Sequence, residues 1–597
     1  MTTNVADNSP DIDKLNANLV RIEALSQRLV AAIAQKRAPN PSLESPGIEL
    51  VSRAASAWWA DAMNDPARLM EQQVAFWGKS LSHYLAAQQA LSQGDLAAPA
   101  DPTPKDRRFA NPLWESHPYF NFIKQQYLMN VEAMDEAVSG IEGLDAHDKR
   151  RVEYFARQMM DLLSPTNFLA TNPDALEKAV ATDGESLVRG LENLVRDVEA
   201  NRGDLLVTLA DRDAFKVGGN IATTEGAVVY RNRMFELIQY KPTTEKVHAV
   251  PLVIFPPWIN KFYIMDLKPQ NSLIKWIVDQ GYTLFVVSWK NPDATYADVG
   301  MDDYVNDGFL AALREAKAIT GQDKVNAVGY CIAGTTLSAT LALMKQQGDK
   351  SVKSATFFTT LTDFSEPGEV GVFLDNDFVD GIEAEATRAG YLDKYYMSRT
   401  FSYLRANDLI YGPAIKSYML GEAPPAFDLL YWNGDGTNLP ARMAIEYLRG
   451  LCQGDGLAKG TFSLGGAALS LADVKVPLCA IACETDHIAP WKASYNGIRR
   501  MGSKDKTFIL AQSGHIAGII NPPGKDKYGH FTADGLPRTA DGWKKGAKFH
   551  KGSWWPAWGA WLAGHSGKMV AARDLGDADH PALAEAPGQF VTEVPNV

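Results

Sequence analysis

The run Val325-Asn-Ala-Val-Gly-Tyr-Cys-Ile-Ala-Gly-Thr335 constrains this chain more than any other stretch. Its opening residues are short and partly β-branched, as in a buried strand. The Thr336-Leu-Ser-Ala-Thr-Leu-Ala-Leu-Met344 that follows is helical in pattern. A strand that feeds a helix through so short a turn places one residue at a strained corner, where its side chain projects clear of both elements. The corner tolerates only small residues two before and two after, because the two backbones pass too close for a bulky Cβ. Gly329 and Ala333 meet that condition, with Gly334 next, so the run predicts a nucleophile elbow with Cys331 at its tip. The strict pattern has serine at the tip and glycine where Ala333 stands, and a packed core cysteine is the competing reading of Cys331 alone.

An elbow of this type calls for an acid and then a histidine, each at the C-terminal end of a later strand, in the order of an α/β-hydrolase. Val476-Pro-Leu-Cys-Ala-Ile-Ala482 reads as a strand that exits into Cys483-Glu-Thr-Asp486-His487, and Phe508-Ile-Leu-Ala511 exits into Gln512-Ser-Gly-His515. Only ten histidines occur, and His515 follows a glycine in a loop directly after a strand, where a packed structural histidine is not expected. Asp486 has rivals in Glu484 and Asp473, and a solvated turn aspartate is its plain alternative. The oxyanion donors are expected from the backbone N–H of Ile332 and from the loop Pro256-Pro-Trp-Ile-Asn260. Pro256 and Pro257 carry no N–H, which leaves Trp258 or Ile259, unless the prolines only stiffen a turn and Trp258 only packs.

Around these residues the chain changes character. Spacings of three and four from Leu15 to Ile33, a mostly helical segment from Ile48 to about Leu91, and a further helical pattern from Asn121 to Asp197 predict a helical N-terminal domain over 1–205. The proline-bearing stretch from Gly94 to Pro112 reads as an exposed linker. From 206 to 597, short strands alternate with helices, which indicates βαβ units and a mainly parallel sheet. That rhythm lapses from about 363 to 451, in an aromatic segment read as an inserted cap. Expected strands include Ala227–Tyr230, Phe235–Tyr240, Pro251–Phe255, Thr283–Ser288 and Val325–Val328, and the chain is expected to close on a helix-like run from Trp554 to Trp561. The fold class is therefore α/β, an α/β-hydrolase with a cap and a helical domain in front.

With 46% hydrophobic and 22% charged residues the composition is ordinary for a globular chain. A net charge of −12 gives no overall basic face for nucleic acid. Four cysteines are too few for a disulfide framework and lack zinc-ribbon spacing, so a reducing compartment and no metal are expected. The polar, acidic start Met1–Asp13 does not resemble a secretory signal, and no apolar run approaches the roughly 18 residues of a spanning helix.

The sequence resembles the class I polyhydroxyalkanoate synthases, which make poly-3-hydroxybutyrate. The resemblance runs from Asp106-Arg-Arg-Phe-Ala-Asn-Pro-Leu-Trp114 through Pro256-Pro-Trp-Ile-Asn-Lys-Phe-Tyr263, Ser288-Trp-Lys-Asn-Pro-Asp293, Gly329-Tyr-Cys-Ile-Ala-Gly334 and Phe427-Asp-Leu-Leu-Tyr-Trp-Asn433 to Ser513-Gly-His-Ile-Ala-Gly518. It is weak over 1–90. It implies Cys331 as nucleophile, His515 as its base and Asp486 as third catalytic residue, with Arg405 and His487 as coenzyme A and substrate contacts. It also implies (R)-3-hydroxyacyl-coenzyme A as substrate, no separate cofactor, and a homodimer at the surface of cytoplasmic polymer granules. Cysteine suits such a reaction, because thiolate attack on a thioester yields another thioester and keeps the acyl group activated. Asp486 could orient His515 or help activate the 3-hydroxyl of the next monomer, and the second role is favoured because a thiol needs less help than a hydroxyl. The aromatic insert would be a lid against water.

Two rival readings are a cysteine-dependent hydrolase of the dienelactone type and a non-catalytic granule-coating protein on a dead hydrolase fold. Cys452, Cys479 and Cys483 are expected in the core. The helix Leu15–Ile33 is expected to pack on the catalytic domain or pair with a partner helix, and the tryptophan run to be a buried helix.

Overall fold

The computed structural model describes residues 12–36, 40, 43, 48–93, 106–524 and 527–595. The polar start before Ile12 and residues 94–105 of the expected linker lie outside them. The chain divides into two units, one of residues 1–211 together with 405–425, the other of 212–404 together with 426–597.

The first unit is helical: α1 Ile12–Ile33, α2 Ile48–Asn64, α3 Pro66–Gln93, α4 Pro118–Ser139, α5 Ala146–Leu162, α6 Pro173–Ala181 and α7 Glu185–Ala200. The single segment expected from Ile48 is two helices, because Pro66 disfavours helix at Asp65 and opens the next one. Asn172 caps α6 by accepting the Ala175 N–H at 3.1 Å, the role that the Asn-Pro-Asp signal implied. Helix α1 packs on α7 through Leu25, Val188 and Val195. The ion pairs Arg21–Glu185 at 3.0 Å and Arg28–Glu199 at 2.8 Å add register and little stability at this exposure. Leu25 and Leu29 of the α1 apolar stripe thus pack inside this unit, which neither expectation for it included, while Leu19, Ile22 and Ile33 stay exposed.

Part of the expected insert also belongs here. In 405–425 the backbone forms two π-helical turns, and Asn193 Nδ2 donates to the carbonyls of Ser417 at 3.0 Å and Glu422 at 3.1 Å. The approach is close enough that a Cβ on Gly190 would stand 2.0 Å from the Tyr418 carbonyl oxygen. The cap over 363–451 is therefore not one continuous piece, a division that local pattern could not carry because its contacts span more than 200 residues.

The second unit is built on an eleven-stranded sheet. In chain order its strands are β1 Gly226–Arg231, β2 Phe235–Tyr240, β3 Leu252–Phe255, β4 Leu284–Trp289, β5 Val325–Tyr330, β6 Val352–Phe358, β7 Leu478–Cys483, β8 Lys506–Ala511, β9 His530–Thr532, β10 Lys548–His550 and β11 Ala584–Glu585. Their spatial order is β10-β9-β8-β7-β6-β5-β3-β4-β2-β1-β11. The run from β8 to β4 is parallel, and antiparallel strands close both edges. Helices α8 Leu273–Asp279, α9 Ala311–Thr320, α10 Ile332–Gln347, α11 Asp428–Asn433, α12 Trp491–Arg500 and α13 Trp555–Gly564 accompany it. The central strands are buried on both faces, as parallel strands under helices must be, and therefore read as continuous apolar runs.

The chain does not close on the tryptophan helix. Past α13, Met569–Ala571 pairs with Lys246–His248, and β11 pairs with β1. Strands of two or three residues carry no period of their own and escape a reading by alternation. Among the described residues, no helix is long and apolar enough to cross a membrane.

Candidate active site

Cys331 joins β5 to α10 at φ 56°, ψ −123°, a conformation that costs a non-glycine residue about 1–3 kcal/mol. The surroundings hold it there. Its N–H donates to the Phe358 carbonyl of β6 at 2.9 Å, and its carbonyl accepts from Gly334 at 2.9 Å and Thr335 at 3.2 Å. A Cβ on Gly329 would lie 2.6 Å from the Gly334 Cα, which is the steric reason for a small residue before the nucleophile. Ala333 fits without a glycine there, fully buried. Ile332 is the first residue of α10, so its N–H has no carbonyl one turn back to bond.

The other three cysteines are buried and unpaired. Burial pushes the Cys452 thiol up to about 12 and raises the Cys479 and Cys483 thiols well above the ordinary cysteine range, which leaves them inert. Cys331 alone is partly exposed.

Asp486 and His515 stand at the ends of β7 and β8, on the same sheet edge as Cys331. Asp486 Oδ2 accepts from His515 Nδ1 at 2.7 Å, while its Oδ1 accepts the N–H groups of Ile488 at 2.9 Å and Ala489 at 2.8 Å. Its side chain is 0% exposed. With Nδ1 engaged by Asp486, Nε2 of His515 is the ring nitrogen left for Cys331, whose sulfur acts on the ring electrostatically. Burial works against a charge on His515, but the Asp486 carboxylate and the Cys331 sulfur outweigh it and raise the ring to about 10. Of the rivals to Asp486, Glu484 pairs with Lys544 at 2.7 Å and Asp473 accepts from Gln346 at 3.1 Å.

The His515 loop is fixed from below. Ser513 sits at φ 76°, Tyr330 donates its hydroxyl to the His515 carbonyl at 3.3 Å, and the indoles of Trp554 and Trp555 each donate at 2.8 Å, to Gly518 and Ile519. The tryptophan run is a buried helix that anchors the histidine loop. Tyr330 stands in the elbow motif, yet nothing in its spacing signalled this contact.

In the loop after β3, the Trp258 ring stacks on Tyr304 at 4.4 Å and meets Trp289 edge-on at 5.3 Å. The side chain packs, while the backbone N–H groups of Trp258 and Ile259 remain the two candidates for an oxyanion donor. From the insert, burial pushes the Tyr447 hydroxyl well above the ordinary tyrosine range. His487 is half-buried beside Asp486. Arg405 opens the segment of the helical unit, where its guanidinium pairs with Asp408 at 2.7 Å.

The chain is similar to known proteins over most of its length. The model of the poly-beta-hydroxybutyrate polymerase (PhaC) N-terminus matches residues 105–277, and that of the alpha/beta hydrolase fold matches 251–522. The chain is 40% identical over 551 residues to a poly(3-hydroxyalkanoate) polymerase subunit PhaC of Rhizobium etli, covering 92% of this chain and 86% of that one. It is 42% identical over 543 residues to the poly(3-hydroxyalkanoate) polymerase of Methylorubrum extorquens, covering 91% and 89%. To the PhaC subunit of Cupriavidus necator it is 42% identical over 520 residues, covering 86% and 87%.

Proposed function

The chain belongs to the poly(3-hydroxyalkanoate) polymerases and is an enzyme that polymerises hydroxyalkanoate, and we propose that it carries the acyl group as a thioester on Cys331. The observation that supports this most is the relay Asp486–His515–Cys331, with the sulfur on a strained elbow and the histidine held by a buried carboxylate.

The substrate is an (R)-3-hydroxyacyl-coenzyme A, 3-hydroxybutyryl-coenzyme A in the first instance. Cys331 gives its proton to His515 before attack, Asp486 balances the imidazolium, and the thiolate of this pair attacks the thioester carbonyl. The carbonyl oxygen, now an anion, is met by the Ile332 N–H and one N–H of the loop after β3. Collapse expels coenzyme A, which leaves with the proton from His515. The 3-hydroxyl of the next unit then attacks the acyl-cysteine, His515 accepts its proton, and the oxoester is released from sulfur one monomer longer.

Arg405 and His487 serve as coenzyme A and substrate contacts in this reading. The enzyme works as a homodimer on cytoplasmic polymer granules. The exposed apolar side chains Trp59, Met63, Trp77 and Leu81 of α2 and α3 are suited to such a surface.

Incubation of the purified enzyme with (R)-3-hydroxybutyryl-coenzyme A tests the mechanism. Rising turbidity with thiol release is expected, and Cys331→Ala should abolish both at an unchanged melting temperature. Thiol release with only soluble acid would make it a hydrolase, and turnover by Cys331→Ala would remove the acyl-cysteine.

A further inference from the structure

The segment Trp432–Asn438 runs along the turn after β3 and takes hold of it residue by residue. Trp432 Nε1 donates to the Lys261 carbonyl at 2.7 Å, and Asn260 and Gly436 form an antiparallel bridge. Asp435 accepts Lys261 Nζ at 2.7 Å and the Tyr263 hydroxyl at 2.8 Å. Between these contacts, the Thr437 N–H donates to the Ile259 carbonyl at 3.0 Å, and the Thr437 hydroxyl donates to the Trp258 carbonyl. Thr437 is 4% exposed, so water does not compete for these bonds.

The bond to Trp258 has a directional consequence. The Trp258 carbonyl and the Ile259 N–H belong to one peptide unit, and in a trans peptide they point opposite ways. A hydroxyl that holds the carbonyl on one side fixes the N–H on the other. The start of the loop is stiff as well, since Pro256 and Pro257 have locked φ and the Pro256 carbonyl accepts Trp289 Nε1 at 2.8 Å.

The geometry points to Thr437 as a positioning residue for acyl transfer, which aims the Ile259 N–H as the second oxyanion donor. This rests on the acyl-cysteine reading above. It chooses Ile259 over Trp258, and it gives the insert a role in the chemistry besides covering the site.

Thr437→Val removes the hydroxyl at nearly constant shape and keeps the backbone N–H. Because loss of a whole oxyanion donor costs about 10²–10³ in rate, a donor left in place but unaimed should cost about 10- to 100-fold in kcat for coenzyme A release. KM for 3-hydroxybutyryl-coenzyme A should stay within about twofold, and Thr437→Ser should recover most of the rate. Alkylation of Cys331 by iodoacetamide needs the sulfur and His515 but forms no oxyanion, so its rate should not change. Thr437→Ala provides the same reading if the valine protein does not fold. Unchanged kcat, a change in KM alone, or no rescue by serine overturns the proposal. Alkylation slowed in step with kcat would instead assign Thr437 to the triad. In the unsubstituted enzyme, turnover that survives complete alkylation of Cys331 would overturn the acyl-cysteine reading itself, independently of Thr437.

Discussion

At the scale of single residues, Asp486 has the most determined surroundings in the site. The sequence left it two roles and favoured activation of the incoming 3-hydroxyl. The structure weighs against that role. Both carboxylate oxygens are engaged, and the side chain has no exposed surface from which to meet a hydroxyl. Asp486→Asn should therefore slow the first acylation of Cys331 and the later steady state alike, by roughly 10²-fold or more, since both need the same histidine. Rapid-quench measurement of coenzyme A release checks this, and a full burst followed by slow elongation would restore the other role. The charge pair also has a pH signature. His515 is raised from 6.5 to about 10 in the fold, so its contribution to stability is fully present below about pH 6.5 and fades as pH rises through about 10. The gap in melting temperature between the parent and Asp486→Asn should narrow across that window.

Among the elements, the unit that carries most is the elbow between β5 and α10, whose tightness can be measured. A Cβ on Gly334 would stand 1.9 Å from Thr360 Oγ1, just beyond the strand whose carbonyl holds the Cys331 N–H. Gly334→Ala should cost about 1–3 kcal/mol by overpacking and slow Cys331 alkylation. Thr360→Ala should return part of that loss in the double variant, a coupling that a thermal-melt cycle would detect. This element was legible because its constraint is local: small residues at fixed offsets between an apolar strand and a helix. The core strands were legible too, bounded as they are by Pro, Gly and Asn. The true start of α10 at Ile332 was placed four residues late, since Ile332–Thr335 read as part of the turn. The brace at Thr437 was hidden for another reason, as its partner is 179 residues away and neither residue type announces the contact.

For the whole molecule, the division into two units follows long-range contacts that no local pattern encodes, and 405–425 shows how such a segment is held within the first unit. Asp197, fully buried, accepts from the Tyr418 hydroxyl at 2.8 Å as well as from Thr208, whose hydroxyl donates at 2.7 Å. A hydrogen bond to a charged group contributes about 1.5–3 kcal/mol, and its loss leaves a buried carboxylate short of a donor. That loss should appear first as local opening of the segment rather than as unfolding of the sheet, because segments open with their own free energies. Lys416 lies in the middle of the segment with its side chain exposed, which makes it a reporter for trypsin. In the full chain, Tyr418→Phe should raise cleavage after Lys416 by about tenfold or more, since each 1.4 kcal/mol is a factor of ten in the open population. Mass spectrometry of the early fragments gives the site and the rate. Cleavage at Lys416 no faster than in the parent would mean that Asp197 does not anchor the segment, and equal acceleration at sites across the second unit would mean that the two units open together.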